Sequence, residues 1–598
     1  MTSDLDAFGT EEPGPEGRTL RAGPLSVLLE AGQLRDLRWH GVEALRGIAW
    51  LLRDDSWGTA PLVLSDLRVE ESPDAFRATW RLLHDGPAGG VAGSATVEGR
   101  ADGRLRFAVE ARVVRDVVTN RMGFVVLHPD TAAGGALRVG HPDGSVEATS
   151  FPRRVSPDQP AFDILSLEHA PAPGVTARIA FEGGVWEMED QRNWQDASFK
   201  TYVRPLALPR PYRVAAGEVD RQAVVLTLSG QPADGPRDSP SSPIRGVVPR
   251  LWLRLAEGHP IPSAVPLPRL AHGLIARLRV AGARPPVEAA ALARSQGWAL
   301  AIEAVFPQRD PSAEARACVA ALANLPVALL LVCGERDFRT RPSGRDPDGE
   351  APLAATLAAL REAGWTGPLG AGTPAFFTEL NRNPPPASDL AFFGGCATVH
   401  AADDRSVMET VGVLPAILES AEALLPGTPV LPGPLSIAPT VTPYGAGFTP
   451  TDGATRTPMA ERDPRHGALF GAAHLVATLA ALAGRVAEAA PCLLNGPSGL
   501  LDDAGRPRPL ATIHAEVARA AGRPLRAAPT TRGLAALAWA ADGGTVTLAA
   551  SLGPSQASLP IRPGDEVSRL APADGGWRPL LPPDGTLMPF DSIRLRAP

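Results

Sequence analysis

The feature that most constrains this chain is a change of rhythm near its middle. From about residue 270, apolar runs alternate with alanine-rich helical stretches, the order expected of repeated strand and helix units. The strand candidates are Leu274–Val280, Ala299–Phe306, Val327–Cys333, Pro368–Ala371, Leu390–Ala397, Val430–Ile437 and Pro491–Leu494. Helical stretches lie between them at Val287–Ser295, Pro311–Ala323, Ala351–Ala363, Ser406–Leu424 and His466–Ala487, with a closing helix at Ala511–Ala521. Asp310 before Pro311 supplies a cap followed by a proline in the first turn, where its missing N–H costs nothing. Seven such units and a closing helix in roughly 250 residues match a TIM-like (β/α)8 barrel. An open doubly wound sheet is the competitor, and the lack of a GxGxxG after the first strand weakens its dinucleotide-binding version.

Before this region the pattern is short strands and turns. Leu105, Phe107, Val109 and Ala111 alternate with Arg106, Ala108, Glu110 and Arg112, the period of two that buries one face of a sheet. Similar runs occur at Leu25–Leu29, Phe76–Leu83, Val175–Phe181 and Ala223–Leu228, which reads as an antiparallel sandwich. Gln231 to Pro243 has little to bury and much to break regular structure, so it reads as a linker. After Pro524, Leu534–Trp539 and Thr545–Ala549 flank Asp542-Gly543-Gly544 as a hairpin. The expectation is a multidomain α/β plus β chain: an N-terminal β-sandwich with linker over 1–245, a (β/α)8 barrel over 246–523 and a small C-terminal β domain over 524–598. No repeat of solenoid length is visible.

Composition narrows the partners. A net charge of −7 gives no basic field for nucleic acid or anionic lipid. No apolar run approaches the roughly 20 residues of a membrane-spanning helix, and Met1 to Leu20 lacks the basic and apolar regions of a secretory signal. Cys318, Cys333, Cys396 and Cys492 form no CxxC pair and sit in apolar segments, as small core residues in a reducing, cytoplasmic setting would. Of 58 basic residues 57 are arginine, which leaves Lys200 as the one place where a compact ammonium was kept.

The densest polar run is Glu187 to Tyr202, which holds Glu189, Asp190, Arg192, Asn193, Asp196 and Lys200 interleaved with Trp194, Phe199 and Tyr202. It follows an apolar strand, so it is expected to project from a sheet end as a loop. Such a mix supplies hydrogen-bond partners for vicinal hydroxyls, aromatic faces for a sugar ring and cations for a developing oxyanion. In the barrel, catalytic groups belong just past the C-terminal strand ends. Glu303 ends the second strand candidate and Glu335 the third; Glu379 with Asn381 and Arg382 follows the fourth, and His400 with Asp403 and Asp404 the fifth. Together they read as a ring of acids around one mouth, able to raise one another's pKa. No GxSxG, HxH, HExxH or Cys/His grouping occurs, so neither a serine elbow nor a zinc site is indicated and no metal or cofactor is called for, although His400 with Asp403 or Asp404 could join a metal assembled from distant loops. The seventh strand candidate ends Leu493-Leu494-Asn495-Gly496. A retaining glycosidase on such a barrel needs a carboxylate there, about 5 Å from its partner, and Asn495 is the wrong chemistry.

Several of these segments resemble one family. Asn120-Arg121-Met122-Gly123-Phe124 through Leu127-His128-Pro129, Phe151-Pro152 and the run from Glu187 to Tyr202 are similar to the D-apionate lactonase family of bacterial sugar-acid catabolism. So are Phe377-Thr378-Glu379-Leu380-Asn381-Arg382 and Val399-His400-Ala401-Ala402-Asp403-Asp404 with Ser406 and Glu409. The resemblance implies a β domain, a barrel and a C-terminal β domain, and a carboxylic ester hydrolase opening D-apionolactone to D-apionate. Combined with the residue reading, it makes Glu379, then Glu335, or else His400, the base that activates water, with Lys200 and Arg192 polarising the carbonyl or holding hydroxyls if the sandwich arm covers the mouth. Glu189, Asp190, Asn193, Trp194, Asp196, Tyr202, Glu303, Asn381, Arg382, Asp404 and Asn495 are the candidate substrate contacts. The partner expected is a small sugar lactone, with no nucleic acid or membrane; a homo-oligomer is compatible with the sequence. The rival readings are a glycoside hydrolase and a non-catalytic carbohydrate-binding protein.

Overall fold

The computed structural model describes residues 3–86, 89–233, 246–344, 351–444, 447–529, 531, 533–572, 575–580 and 585–597. Most of the expected linker, from 234 onward, lies outside the described residues. The chain divides into two units. One consists of Gly14–Arg192 and Ala197–Arg237; the other joins the residues up to Pro13, the short segment Asn193–Asp196 and the chain from the barrel to the C-terminus.

The first unit is the sandwich. An eight-stranded and a nine-stranded antiparallel sheet enclose one apolar core that includes Trp50, Trp80, Phe107, Phe124 and Trp186. The strand Arg104–Arg115 buries every second residue, as its alternation requires. The expected loop at Glu187 to Tyr202 is instead a hairpin: Trp186–Asp190 pairs with Ser198–Val203 in register Glu187 to Tyr202 and Glu189 to Lys200, through a 3-10 turn at Gln191–Trp194. Trp186, Met188, Phe199 and Val203 point into the sandwich core. The period of two is hidden because the intervening positions, Glu187, Glu189, Lys200 and Tyr202, are polar and, Glu189 apart, buried.

In the second unit eight parallel strands form the barrel: Arg250–Arg254, Gly273–Arg279, Ala299–Phe306, Val327–Gly334, Leu369–Phe376, Leu390–Cys396, Val430–Ser436 and Glu488–Leu493. The last strand pairs with the first, and the seventh lies against the eighth at Gly433, where an added Cβ would overlap the Ala490 carbonyl oxygen. The first strand escapes the sequence reading because it has only five residues, arginine at both ends, and no helix between it and the second strand. Every later strand therefore moves up by one in the count. Asp310 does cap the helix Pro311–Leu322, accepting from the Ala313 amide at 3.0 Å.

Helix Leu469–Leu482 is apolar nearly all round, the mark of a helix buried on every side. It packs on the C-terminal strands Leu534–Ala541 and Gly544–Ser551, whose two-residue turn has Gly543 at φ +82°. Phe470 on this helix meets Phe8 of the capped N-terminal turn Asp4–Phe8 and Phe590 of the turn before the last strand, Ser592–Ala597, with ring centroids 6.3 and 4.8 Å away. The four cysteines are buried and unpaired with one another. Among the described residues no helix is long and apolar enough to cross a membrane.

Gly433 sits at φ +135° where the barrel closes, so Gly433→Ala combines backbone strain with a steric clash. It is expected to cost about 3 kcal/mol or more, read as an earlier unfolding transition in tryptophan fluorescence.

Candidate active site

The upper interior of the barrel carries charge where period two would otherwise continue the apolar core. Trp252, Ile275 and Ala301 belong to the apolar layer inside the barrel. Two residues further along each strand stand Arg254, Arg277 and Glu303. Glu303 binds both arginines: Arg277 Nε donates to its Oε1 at 2.6 Å and Arg254 Nη1 donates to its Oε2. Burial pushes the Glu303 carboxyl up, but the two guanidinium groups outweigh it and hold the acid at about 2. Arg277 and Arg279 together clamp Glu257, with bonds of 2.5 to 2.9 Å.

Glu257 lies on the loop that leaves the first strand. Asn495 fastens that loop at two points: its Oδ1 accepts from the Ala256 amide at 3.0 Å and its Nδ2 donates to the Pro260 carbonyl at 2.7 Å. Under the loop is a cavity of about 250 Å³, lined by Arg254, Glu257, His259, Arg277, Glu303 and Ser498 among others. Of these only Glu303 was expected from the sequence. The missed signal is the inward spacing of Ile275 with Arg277 and of Ala301 with Glu303.

Further round the rim, Asn193–Asp196 packs with the ends of the fifth and sixth strands. Thr378 Oγ1 donates to the Asn193 carbonyl at 2.6 Å, and Asn381 Nδ2 donates to Asn193 Oδ1 at 3.1 Å. Gln195 reaches Gly395 so closely that a side chain there would collide with its amide. Trp194 is buried in an aromatic nest, stacked on Tyr444 at 5.6 Å, with the Arg382 guanidinium 5.4 Å from its ring centre. Its edge meets His400 at 6.0 Å and 87°. His400 Nδ1 is 2.6 Å from Asp196 Oδ2, a pair joining residues 204 positions apart. The structure thus brings together Asn193, Trp194, Asp196, Asn381, Arg382 and His400.

The other barrel residues expected to act together are dispersed. Glu379 is buried in the turn Phe377–Arg382 after the fifth strand; its Oε2 accepts from the Arg341 amide at 3.1 Å, and its Oε1 has no hydrogen-bond partner. Burial raises its pKa, with Thr340, Arg382 and Arg341 pulling the other way. It lines a separate cavity of about 240 Å³ with Arg336, Asp337 and Arg341. Glu335 is exposed at the start of the 3-10 turn after the fourth strand. Asp403 caps the helix Asp404–Glu409, and Asp404 is held by Arg456 at 3.0 Å and Arg465 at 2.8 Å. Asn495 follows the eighth strand, not the seventh, and its amide is committed to the loop. The chain after the true seventh strand, Ile437 to Tyr444, contains no carboxylate, so the objection to glycosidase chemistry moves to that position and survives there.

In the sandwich unit, half-buried Glu189 joins the buried Lys200, Tyr202, Glu187 and Arg121 in one polar cluster. Lys200 Nζ pairs with Glu189 at 2.6 Å, Tyr202 donates to Glu187 at 2.6 Å, and Arg121 stacks on Tyr202 at 3.7 Å. Burial lowers the Lys200 pKa, opposed by Glu189. Arg192 grips Asp190 through two bonds of 2.8 and 2.7 Å and donates to the carbonyls of Pro152, Arg153 and Arg154. All three guanidinium nitrogens are thereby spent, Nε on Asp190 and the two Nη on the carbonyls of 152–154, with Nη2 shared with Asp190.

An antiparallel sandwich, a (β/α)8 barrel with polar groups at its strand ends and a small C-terminal sheet define a multidomain barrel protein. The D-apionate lactonase N-terminal domain matches residues 5–231, and the D-apionate lactonase TIM barrel domain matches residues 275–522. A D-apionate lactonase of Brucella anthropi is 33% identical over 554 residues, covering 87% of this chain and 91% of its own. The chain belongs to the D-apionate lactonase family. Among solved structures, a GH30 endoxylanase of Clostridium papyrosolvens (10% identity, 60% of this chain and 98% of its own, TM-score 0.38) and a conserved exported protein of Bacteroides fragilis (10% identity, 59% and 98%, TM-score 0.39) are too distant to carry an argument.

Glu303→Gln leaves the buried Arg254 guanidinium without its carboxylate and Arg277 with Glu257 alone, and is expected to destabilise the barrel by about 3–5 kcal/mol at neutral pH. Because the folded pKa is lowered from 4.5 to about 2, the stabilisation from Glu303 is present above the ordinary value and lost as pH falls through the folded one. Denaturation at a series of pH values should show the wild type and the variant converging between those limits.

Proposed function

We propose that this protein hydrolyses the ester of a sugar-acid lactone, D-apionolactone being the first candidate from the family and its named relative, within apiose breakdown. The observation that carries the mechanism is the 2.6 Å pair between His400 and Asp196. A carboxylate on Nδ1 fixes the tautomer and aim of an imidazole and stabilises its protonated form, so that Nε2 is the nitrogen left to take a proton. Trp194, edge-on to the ring, restricts the same side chain. His400 is preferred to Glu335, which is exposed, and to Glu379, whose carboxyl is tied to the Arg341 amide beside another cavity.

In the reaction water oxygen bonds to the lactone carbonyl carbon as His400 accepts a water proton. The tetrahedral intermediate then breaks its ring C–O bond, and the imidazolium returns the proton to the departing ring oxygen, which becomes a hydroxyl. The new carboxylic acid ionises, so each turnover releases one proton.

Proton release in weak buffer on D-apionolactone and on four- and five-carbon aldonolactones tests the assignment. General-base help is worth about 10²- to 10⁴-fold, so His400→Gln should lower kcat by that factor with the fold retained, and Asp196→Asn should lower kcat more than it raises KM. Full turnover by His400→Gln would move the role to Glu379, which Glu379→Gln then examines. Release of a reducing sugar from an aryl glycoside without lactone turnover would overturn the reading.

A further inference from the structure

We infer that the cavity at the barrel mouth is a binding site for the carboxylate of a small polyhydroxylated acid, with Arg254 as its principal donor. This rests on the lactonase reading only for the class of acid; the site itself follows from two unsatisfied groups. Arg254 is 5% exposed, and its Nε and Nη2 have no hydrogen-bond partner. Ser498 is 4% exposed, and its hydroxyl likewise has none. Both line the same cavity.

Among the lining cations Arg277 spends Nε on Glu303 and Nη1 on Glu257, whereas Arg254 gives only Nη1, to Glu303. The exposed Glu461, on the same wall, lies 3.7 Å from His259. Leaving a guanidinium buried with unused donors is costly, and a carboxylate, whose two oxygens suit a planar fork, removes the cost. Ser498 and His259 add partners for the hydroxyls of a polyol chain. At about 250 Å³ the space suits one sugar acid and is smaller than the roughly 300–1,000 Å³ of drug-sized sites.

Calorimetry on the full-length protein with D-apionate, and with the neutral alditol obtained by reducing D-apiose, tests this. The expected result is D-apionate binding at least tenfold tighter than the alditol. Arg254→Lys, which keeps a charge opposite Glu303 but loses the fork, should weaken D-apionate at least tenfold while leaving the alditol within threefold. Ser498→Ala should weaken both by a few fold and serves if Arg254→Lys does not fold, judged by near-ultraviolet circular dichroism. Equal affinity for acid and alditol, no acid binding, or Arg254→Lys binding like wild type would overturn the inference. The two readings fail separately: D-apionate binding without lactone turnover removes the hydrolase reading alone, and lactone turnover without preference for the acid removes this one alone.

Discussion

A single buried carboxylate organises the barrel mouth. Glu303 lies in the third strand, between Arg254 of the first and Arg277 of the second, and its two oxygens each take one guanidinium. Pairing across the first three parallel strands at this depth fixes side chains that would otherwise be free to leave the interior. Arg277 in turn reaches Glu257, and through it the loop that Asn495 holds from the far end of the barrel sequence. A buried ion pair of this kind adds little net stability against an apolar substitute, but it is intolerant of losing one partner. What it supplies is a defined polar floor in a fold whose lower interior is packed with Trp252, Ile275, Leu331 and Phe392.

The second organised region works differently. His400, Asp196 and Trp194 meet through hydrogen bonding and ring packing, and the residues come from chain segments far apart in sequence. Thr378 and Asn381 anchor the backbone and side chain of Asn193, so Asp196 is delivered by a braced segment. Such bracing suits the proton transfer proposed for the imidazole, because it fixes the direction of its carboxylate partner.

The barrel and sandwich were legible because their core strands obey simple periods: Arg104–Arg115 by alternation, Ala299–Phe306 by a run of apolar residues between caps. The first barrel strand was not, since Arg250–Arg254 is short, polar-ended and followed by a loop where a helix was expected. Losing it hid Arg254 and displaced the strand count, so Asn495 was weighed at the wrong strand end. The run from Glu187 to Tyr202 stands out by its charge, yet charge alone cannot tell a loop from a strand whose outward face is largely buried. His400 and Asp196 were each visible, but their pairing depends on tertiary packing that no local spacing records. Arg192 illustrates the converse, because a residue well suited to polarising a carbonyl is consumed by its own fold.

The placement of Asn193–Asp196 has a consequence for how such a chain can be inherited. These four residues interrupt the sandwich in sequence, yet they cluster with the barrel and carry one half of the histidine pair. Modular shuffling that moved the barrel as a cassette beginning after the sandwich would leave His400 without its carboxylate. The two architectural pieces are therefore bound to travel and diverge as one heritable block, whatever independence each has as a folding unit.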